Sequence, residues 1–290
     1  MDKSRSRPET LREVQPFTFS QSSLQDFSDC PRRFQLRYLF QLSWPAPIAE
    51  PIQENERLTR AGERFHHLAR QALLGVSLDA LNESVQASGE RDLPLWWQHY
   101  LQLLPLLRIG ECRPEYSISV PMGEHRLLAK YDLVQYFPLE QRAVIWDWKT
   151  SQHRPPIARL EKRWQTRLYP YLLARTGLPG QGNARLAPSG IEMVYWFTHA
   201  PDQPERFLYS EEQFQRDEES LRAILAEIDR RQPNQFYKTE DERQCRFCVY
   251  RSLCERGSQA GSLEEIESDA DNPAKSSLDV NFDQIGEIAF

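Results

Sequence analysis

The chain has 290 residues, 40% of them apolar, and five cysteines, so it can bury one sizeable core and is too poor in cysteine to be a disulfide scaffold. Its first twenty residues are polar and no apolar run reaches membrane-spanning length, so the expectation is a cytoplasmic protein with reduced thiols, without secretory signal or membrane span. The net charge of −6 is uneven: residues 261–290 carry −7 and the remainder +1, which leaves room for a local basic groove on an otherwise neutral body.

In chain order, residues 1–16 are expected to be a flexible N-terminus. Residues 19–39 read as two short helices, the first opened by a capping box between Ser22 and Gln25, the second carrying Pro31 in its first turn. From 54 to 74, Leu58, Ala61, Phe65, Leu68 and Ala72 recur at helical spacing and stop before Gly75. Two further helical stretches, near 78–87 and 94–108, form a helical insertion over about residues 76–110. The period then changes. Segments 115–120, 126–137 and 142–149 are rich in β-branched, aromatic and leucine residues, with turns at Gly123 and 138–141, and read as a three-stranded meander. A helix over 157–175, a buried strand over 190–198 and a charged amphipathic helix over 211–231 follow, an order that describes a mixed α/β layer. There is no internal repeat and no Gly-x4-Gly-Lys phosphate loop. Residues 258–290 are acidic and nearly free of aromatics, and read as a disordered tail. Ending in Ile288-Ala289-Phe290, it is a candidate for docking a protein partner or for folding back on a basic groove.

Cys30 stands before Pro31, and some two hundred residues later come Cys245, Cys248 and Cys254 in a C-x2-C-x5-C pattern. A soft metal centre needs about four thiolates converging on one point, and the lone front cysteine with the triplet supplies them while clamping the terminal regions together. Spacing does not separate zinc from an iron–sulfur cluster. Cys112 is the odd one out, a small apolar residue.

Alternate side chains of a strand share a face, so Asp147 and Lys149 point one way and Trp146 and Trp148 the other. A carboxylate beside an ammonium suits phosphodiester cleavage: carboxylates hold a hard divalent ion and the lysine orients a water or offsets developing charge. Alone, an Asp-x-Lys in a strand is more often a solvated ion pair. Asp132 on the neighbouring strand offers the second carboxylate, and Glu115, at the start of the meander, is an additional acidic candidate set against the reading of a surface residue. Arg159, Lys162, Arg163 and Arg167 lie on the helix predicted over 157–175, and Arg32, Arg33, Arg37, Arg243, Arg246 and Arg251 lie near the cysteines. Together they make a candidate groove for a phosphate backbone. Trp96, Trp97 and Trp164 are candidates for stacking unpaired bases, against core packing.

The chain resembles the PD-(D/E)XK nuclease superfamily, and within it the RecB-like nucleases and the iron–sulfur exonucleases of CRISPR adaptation. The resemblance is carried in order by Phe19-Ser20-Gln21-Ser22-Ser23-Leu24, Cys30-Pro31, Gly62-x3-His66, Asp132, Asp147-x-Lys149-Thr150, Gln165-x3-Tyr169 and the cysteine triplet, over about residues 17–256. It implies an α/β, restriction-endonuclease-like mixed sheet flanked by helices, as one nuclease domain over 17–257 with the helical insertion and an iron–sulfur clamp joining N- and C-terminal regions. It makes His66, Asp132, Asp147 and the Trp148 carbonyl ligands of Mg²⁺ or Mn²⁺, with Lys149 as the water-orienting residue. Gln165 and Tyr169, four apart on one helix face, would position Lys149 or the scissile strand. An imidazole donor moves the preference towards Mn²⁺. The resemblance also favours a four-iron four-sulfur cluster over zinc on Cys30, Cys245, Cys248 and Cys254. The implied activity is exonucleolytic trimming of single-stranded or frayed DNA, whether in CRISPR adaptation, in repair or alone; the alternative is a stapled DNA-binding scaffold with weak or no nuclease activity. One departure is Ala129, where the family often has a glycine three residues before the first aspartate, so a tight backbone bend there is either lost or made otherwise.

Overall fold

Strand β3 (His125–Phe137) is the hub of the protein. In this computed structural model, which describes residues 16–42, 50–151, 154–178, 186–245 and 248–257, β3 carries three neighbours on two edges. One edge pairs antiparallel with β2 (Glu111–Met122) over nearly its whole length. The other edge is used twice: β1 (Thr18–Phe19) pairs parallel at Arg126–Leu127, and β4 (Arg142–Lys149) pairs antiparallel from Leu133 to Phe137. Between these two pairings β3 and β4 separate, and β4 runs on along β5 (Ile191–Phe197), which is parallel to it. An antiparallel edge strand, β6 (Glu205–Leu208), closes the described sheet. The sheet is thus forked, and Asp132 stands at the fork.

Helices cover both faces. α1 (Gln21–Asp29), the short α2 (Pro31–Phe34) with a π-helical turn at Gln35–Leu39, α7 (Trp164–Thr176) and α8 (Glu211–Arg230) lie on one side with Ala143, Ile145, Met193 and Tyr195. On the other lie α3 (Glu50–Leu73), α4 (Leu78–Gln86) and α5 (Leu93–Leu107) against Val144, Trp146, Trp148, Val194 and Trp196. β4 is buried on both faces, as a central strand between two helical layers must be. The apolar stripe of α3 supplies Ala61, Phe65, Leu68, Ala69 and Ala72 to the second layer; Phe65 lies flat on Trp196 and edge-on to Tyr100. Burying one such phenyl ring stabilises the layer by about 1.5–3 kcal/mol.

The predicted elements recur with several corrections. Helix α1 starts at Gln21, capped by Ser20, whose hydroxyl accepts from the Ser23 N–H at 3.3 Å while Ser23 Oγ accepts from the Ser20 N–H at 2.9 Å; Ser22 is fully buried instead of capping. The helix predicted over 157–175 is two helices, α6 (Ile157–Leu160) and α7, broken at extended Arg163. The break frees the Trp164 N–H to donate to Gln25 Oε1 at 3.2 Å and the Trp164 indole to donate to Ser28 Oγ at 2.7 Å, which ties α7 to α1. Trp96, Trp97 and Trp164 are only 3, 3 and 6% exposed, so none offers a face for base stacking. β1 and β6 were not expected from the sequence. Residues 1–15, the tail over 258–290 and Arg246 lie outside the described residues. Among the described residues no helix is long and apolar enough to cross a membrane.

Candidate active site

Where the β3–β4 ladder ends at Leu133 and Trp146, a side chain takes over from the backbone: Asp132 Oδ2 accepts from the Trp148 N–H at 2.7 Å. Its other oxygen, Oδ1, is 3.0 Å from His66 Nδ1. His66 lies at the border of the buried stripe of α3, and the helix approaches the end of β4 closely enough to bring it there. Gly62, one turn earlier, permits that approach: a Cβ at Gly62 would stand 2.8 Å from Thr150 Oγ1.

Asp147 and Lys149 face the α7 side, as strand alternation predicts. Lys149 Nζ is 2.8 Å from Asp147 Oδ2 and donates to Gln165 Oε1 at 3.1 Å, while Gln165 Nε2 donates to Asp147 Oδ1 at 2.6 Å. The three residues form a closed triangle, each less than a tenth exposed. Such burial is costly unless the charges are paired and hydrogen-bonded, and the Asp147–Lys149 ion pair together with the two bonds to Gln165 offsets that cost. Tyr195, in register with Asp147 on β5, lies with its ring 5.5 Å from Lys149 Nζ. Burial, and then the Asp147 carboxylate, hold its phenol far above the usual range, so it remains neutral and shares a 2.8 Å hydrogen bond with Thr166 Oγ1. Sequence reasoning missed Tyr195, because only the parallel β4–β5 register brings it beside the lysine.

Tyr169 follows Gln165 by one turn and packs edge-on to Tyr131 at 4.9 Å, while its carbonyl accepts from the Tyr131 hydroxyl at 3.0 Å. It therefore ties α7 to β3 and leaves Gln165 to contact Asp147 and Lys149. His66 and Asp132 form one pair, Asp147 and Lys149 another, and Trp148 joins them through its backbone. Among the described residues no three of the His, Cys, Asp and Glu side chains stand together closely enough to hold a metal ion as placed. The donors do suit a hard divalent cation in kind: two carboxylates and an imidazole about the opening of a sheet.

The bend missing from Ala129 lies on the partner strand. Glu115, opposite Asp132 between the Pro114–Leu133 and Tyr116–Tyr131 pairs, has φ +47°, and both strands change face there. Cys112 and Leu133 pack towards α3–α5, whereas Tyr116 and Tyr131 pack towards α7.

Of the basic residues, Lys162 is exposed and Arg159 half-buried, whereas Arg163 is 9% exposed. Arg167 bonds the fully buried Asp217 at 2.6 Å and stacks on Trp164 at 4.5 Å, so it acts in the core. Near the cysteines, Arg33 and Arg37 both pair with the fully buried Asp26.

Cys30, Cys245, Cys248 and Cys254 line one cavity, together with Arg33, Lys238, Arg251 and Arg256. None is in a disulfide. Cys30 sits at the junction of α1 and α2, Cys245 ends a 3₁₀ turn at Glu242–Cys245, and Cys254 ends another at Arg251–Cys254. Arg256 donates to Cys245 Sγ at 3.0 Å. Burial pushes the Cys248 thiol up to about 11 and raises Cys254 as well. Four free cysteines lining one cavity among cations suit a soft, thiolate-bound centre in kind, although among the described residues no three of them stand close enough to hold a metal ion as placed. Cys112 lies apart, its thiol donating to the Leu107 carbonyl at 2.8 Å.

Among solved structures, the protein SSO0001 is 14% identical, the match covering 83% of this chain and 88% of that one with a TM-score of 0.40. A candidate exonuclease from Eubacterium rectale is 10% identical, covering 93% and 98%, with a TM-score of 0.47. Likenesses this distant carry nothing about activity. No curated protein matches the chain. The sequence model of the PD-(D/E)XK nuclease superfamily matches residues 18–255, from the first residue of β1 to just beyond Cys254. Its mixed sheet and flanking helices agree with that match, and the chain belongs to the PD-(D/E)XK nuclease superfamily.

Proposed function

We propose that the protein is a metal-dependent DNA exonuclease of the RecB-like branch, trimming single-stranded or frayed ends, with a four-iron four-sulfur cluster as a structural staple. The observation that carries the reading is the fork. It sets the Asp132–His66 pair beside the Asp147–Lys149–Gln165 triangle, with Trp148 bonded to the first and flanked in the chain by two members of the second.

His66, Asp132, Asp147 and the Trp148 carbonyl would hold Mg²⁺ or Mn²⁺, which supplies an acidified water and neutralises charge on the phosphate. Lys149 orients the attacking water and offsets negative charge as the phosphodiester is cleaved. Gln165 fixes Lys149 Nζ through its amide oxygen, so the ammonium keeps its place when Asp147 turns to another partner. Tyr195 supports the lysine from below without competing for its charge. Tyr169 sets the distance of α7 from β3 and so the reach of Gln165. Arg159 and Lys162 lead the phosphate backbone towards the fork. The tail over 258–290 serves a protein partner or restrains that groove, and its deletion reports which by the change in rate and salt dependence.

Anaerobically purified protein, end-labelled single- and double-stranded DNA, and Mn²⁺, Mg²⁺ or chelator test the activity. Cleavage should need the metal and disappear in Asp147→Ala and Lys149→Ala; a metal-replete preparation that leaves all these substrates whole refutes it. Absorption near about 400 nm identifies thiolate-bound iron, and its absence with bound zinc replaces the cluster by a zinc staple.

A further inference from the structure

We propose that Glu115 is a positioning residue for the metal site, which rests on the metal-dependent reading above. Two independent features of this one residue act on the two donors that meet in the fork.

The first is its backbone. Glu115 is not glycine, yet its φ of +47° lies in the left-handed region, which L residues with a full side chain avoid. It occupies the point where β2 and β3 exchange faces, directly across from Asp132. Without this kink β3 would continue its simple alternation, and the Asp132 carboxylate would not be turned both to the Trp148 N–H and to His66.

The second is its carboxylate. Oε2 is 3.1 Å from Arg70 Nη1 and Oε1 is 3.8 Å from Lys130 Nζ, with the Glu115 side chain 26% exposed. Arg70 is four residues beyond His66 on α3, hence one turn along the same side of the helix. The Glu115–Arg70 pair pins that turn to the sheet, while the close approach at Gly62 fixes the turn before His66. His66 is held from both sides, and Glu115 serves Asp132 by its main chain and His66 by its side chain.

A surface ion pair of this kind contributes little to overall stability, so its removal should be read at the site. The test uses the full chain with Mn²⁺ as probe, measuring affinity from the resonance signal of the free ion alongside cleavage rate against Mn²⁺ concentration. Arg70→Ala and Glu115→Gly, the latter keeping the left-handed backbone, should each weaken Mn²⁺ binding about tenfold, in the range for residues that orient metal ligands. Maximal rate at saturating Mn²⁺ should be kept. The double variant should be no weaker than either single one, because both remove the same contact. Exchanging the charges, Glu115→Arg with Arg70→Glu, should recover part of the affinity.

Unchanged Mn²⁺ affinity in Arg70→Ala and Glu115→Gly overturns the proposal. So does weakening in Glu115→Gly alone, which would make the carboxylate a direct ligand, or a rate that saturating Mn²⁺ does not restore. Wild-type protein that binds Mn²⁺ but cuts no DNA refutes the exonuclease while leaving the affinity comparison readable; failure to bind Mn²⁺ at all refutes both.

Discussion

Gly62→Ala isolates the approach of α3 to the end of β4. Gly62 has no left-handed backbone to protect, so alanine should be favoured there by about 0.5–1 kcal/mol of helix propensity. Its Cβ, however, would meet Thr150 Oγ1 at 2.8 Å, where ordinary contact begins at 3.4 Å, so the gap must open by about 0.6 Å. Threonine carries two heavy atoms on Cβ, which leaves a single staggered position that turns only hydrogen to the intruder. Either Thr150 takes that rotamer or the helix moves. Overpacking of this sort costs about 1–3 kcal/mol, so the net loss of stability after the propensity gain is at most about 2.5 kcal/mol. A functional constellation tolerates about 0.5 Å of displacement, and His66 lies one turn from the overlap. The expected result is a variant that melts close to wild type but needs about tenfold more Mn²⁺ for half-maximal cleavage. Adding Thr150→Ala removes the overlapping oxygen and should restore the metal dependence while keeping the helix gain. Wild-type metal dependence in Gly62→Ala, or a double variant as impaired as the single one, would refute the close-approach account.

Arg167→Ala should lower the free energy of unfolding by about 3 kcal/mol, at the lower end for stripping the partner from a buried charge, because Asp217 keeps bonds to Tyr209 and Gln213. Urea titration measures this, and a change within error would move Arg167 back to the groove. Lys162→Glu, on an exposed turn, should leave the midpoint unchanged and weaken DNA binding, reducing the slope of log affinity against log salt by about one. In reduced, chelator-treated protein, the raised Cys248 thiol holds its proton more tightly folded than unfolded. The stability it contributes is fully present below the ordinary thiol value of 9.0 and is lost as pH rises through about 11. The loss is on the order of 3 kcal/mol, visible as a falling urea midpoint that Cys248→Ala flattens.

Much of this arrangement is legible in the residues, and what is not has a physical reason. The helices of the insertion follow from apolar spacing, because each buries one stripe in the layer on that side of the sheet. Asp147 and Lys149 are placed on one face by the period of the strand, and Gln165 by its helix. β1 and β6 escape notice because two and four residues are too few to show alternation; their pairing partners, not their composition, make them strands. The break at Arg163 escapes for a similar reason, since the bonds that favour it come from Gln25 and Ser28, well over a hundred positions away. Tyr195 is invisible as a site neighbour because it depends on strand order, whereas Glu115, an acidic candidate in the sequence, reads there as a surface residue because its place across from Asp132 depends on a local backbone state available to any residue at a cost.

The cysteine cavity and the fork are mechanically connected, and that connection is testable. β1 holds the outer prong of the fork with very little: two residues paired to β3, an Arg126 N–H donating to the Phe17 carbonyl at 2.9 Å, and the Phe17 N–H on His125 Nδ1 at 3.3 Å. Two strand residues cannot be stable by themselves. Their support is α1, which follows at once, packs on α7 and ends at Cys30 on the cavity shared with Cys245, Cys248 and Cys254. Releasing that cysteine junction, by Cys254→Ser or by chelating the metal proposed there, should loosen α1 and with it β1. The Arg126 amide should then exchange its hydrogen faster, whereas amides in β4 and β5, buried between two helical layers, should be affected less. The Asp132 side of the fork should lose definition together with β1, so half-maximal Mn²⁺ should rise in step with the exchange rate at Arg126. Cys112→Ser, which retains a donor to the Leu107 carbonyl, should change neither. If Arg126 stays protected when the cysteine junction is opened, the termini are joined for some purpose other than holding the fork, and β1 draws its stability from the Phe17, Phe19 and Phe34 ring contacts alone.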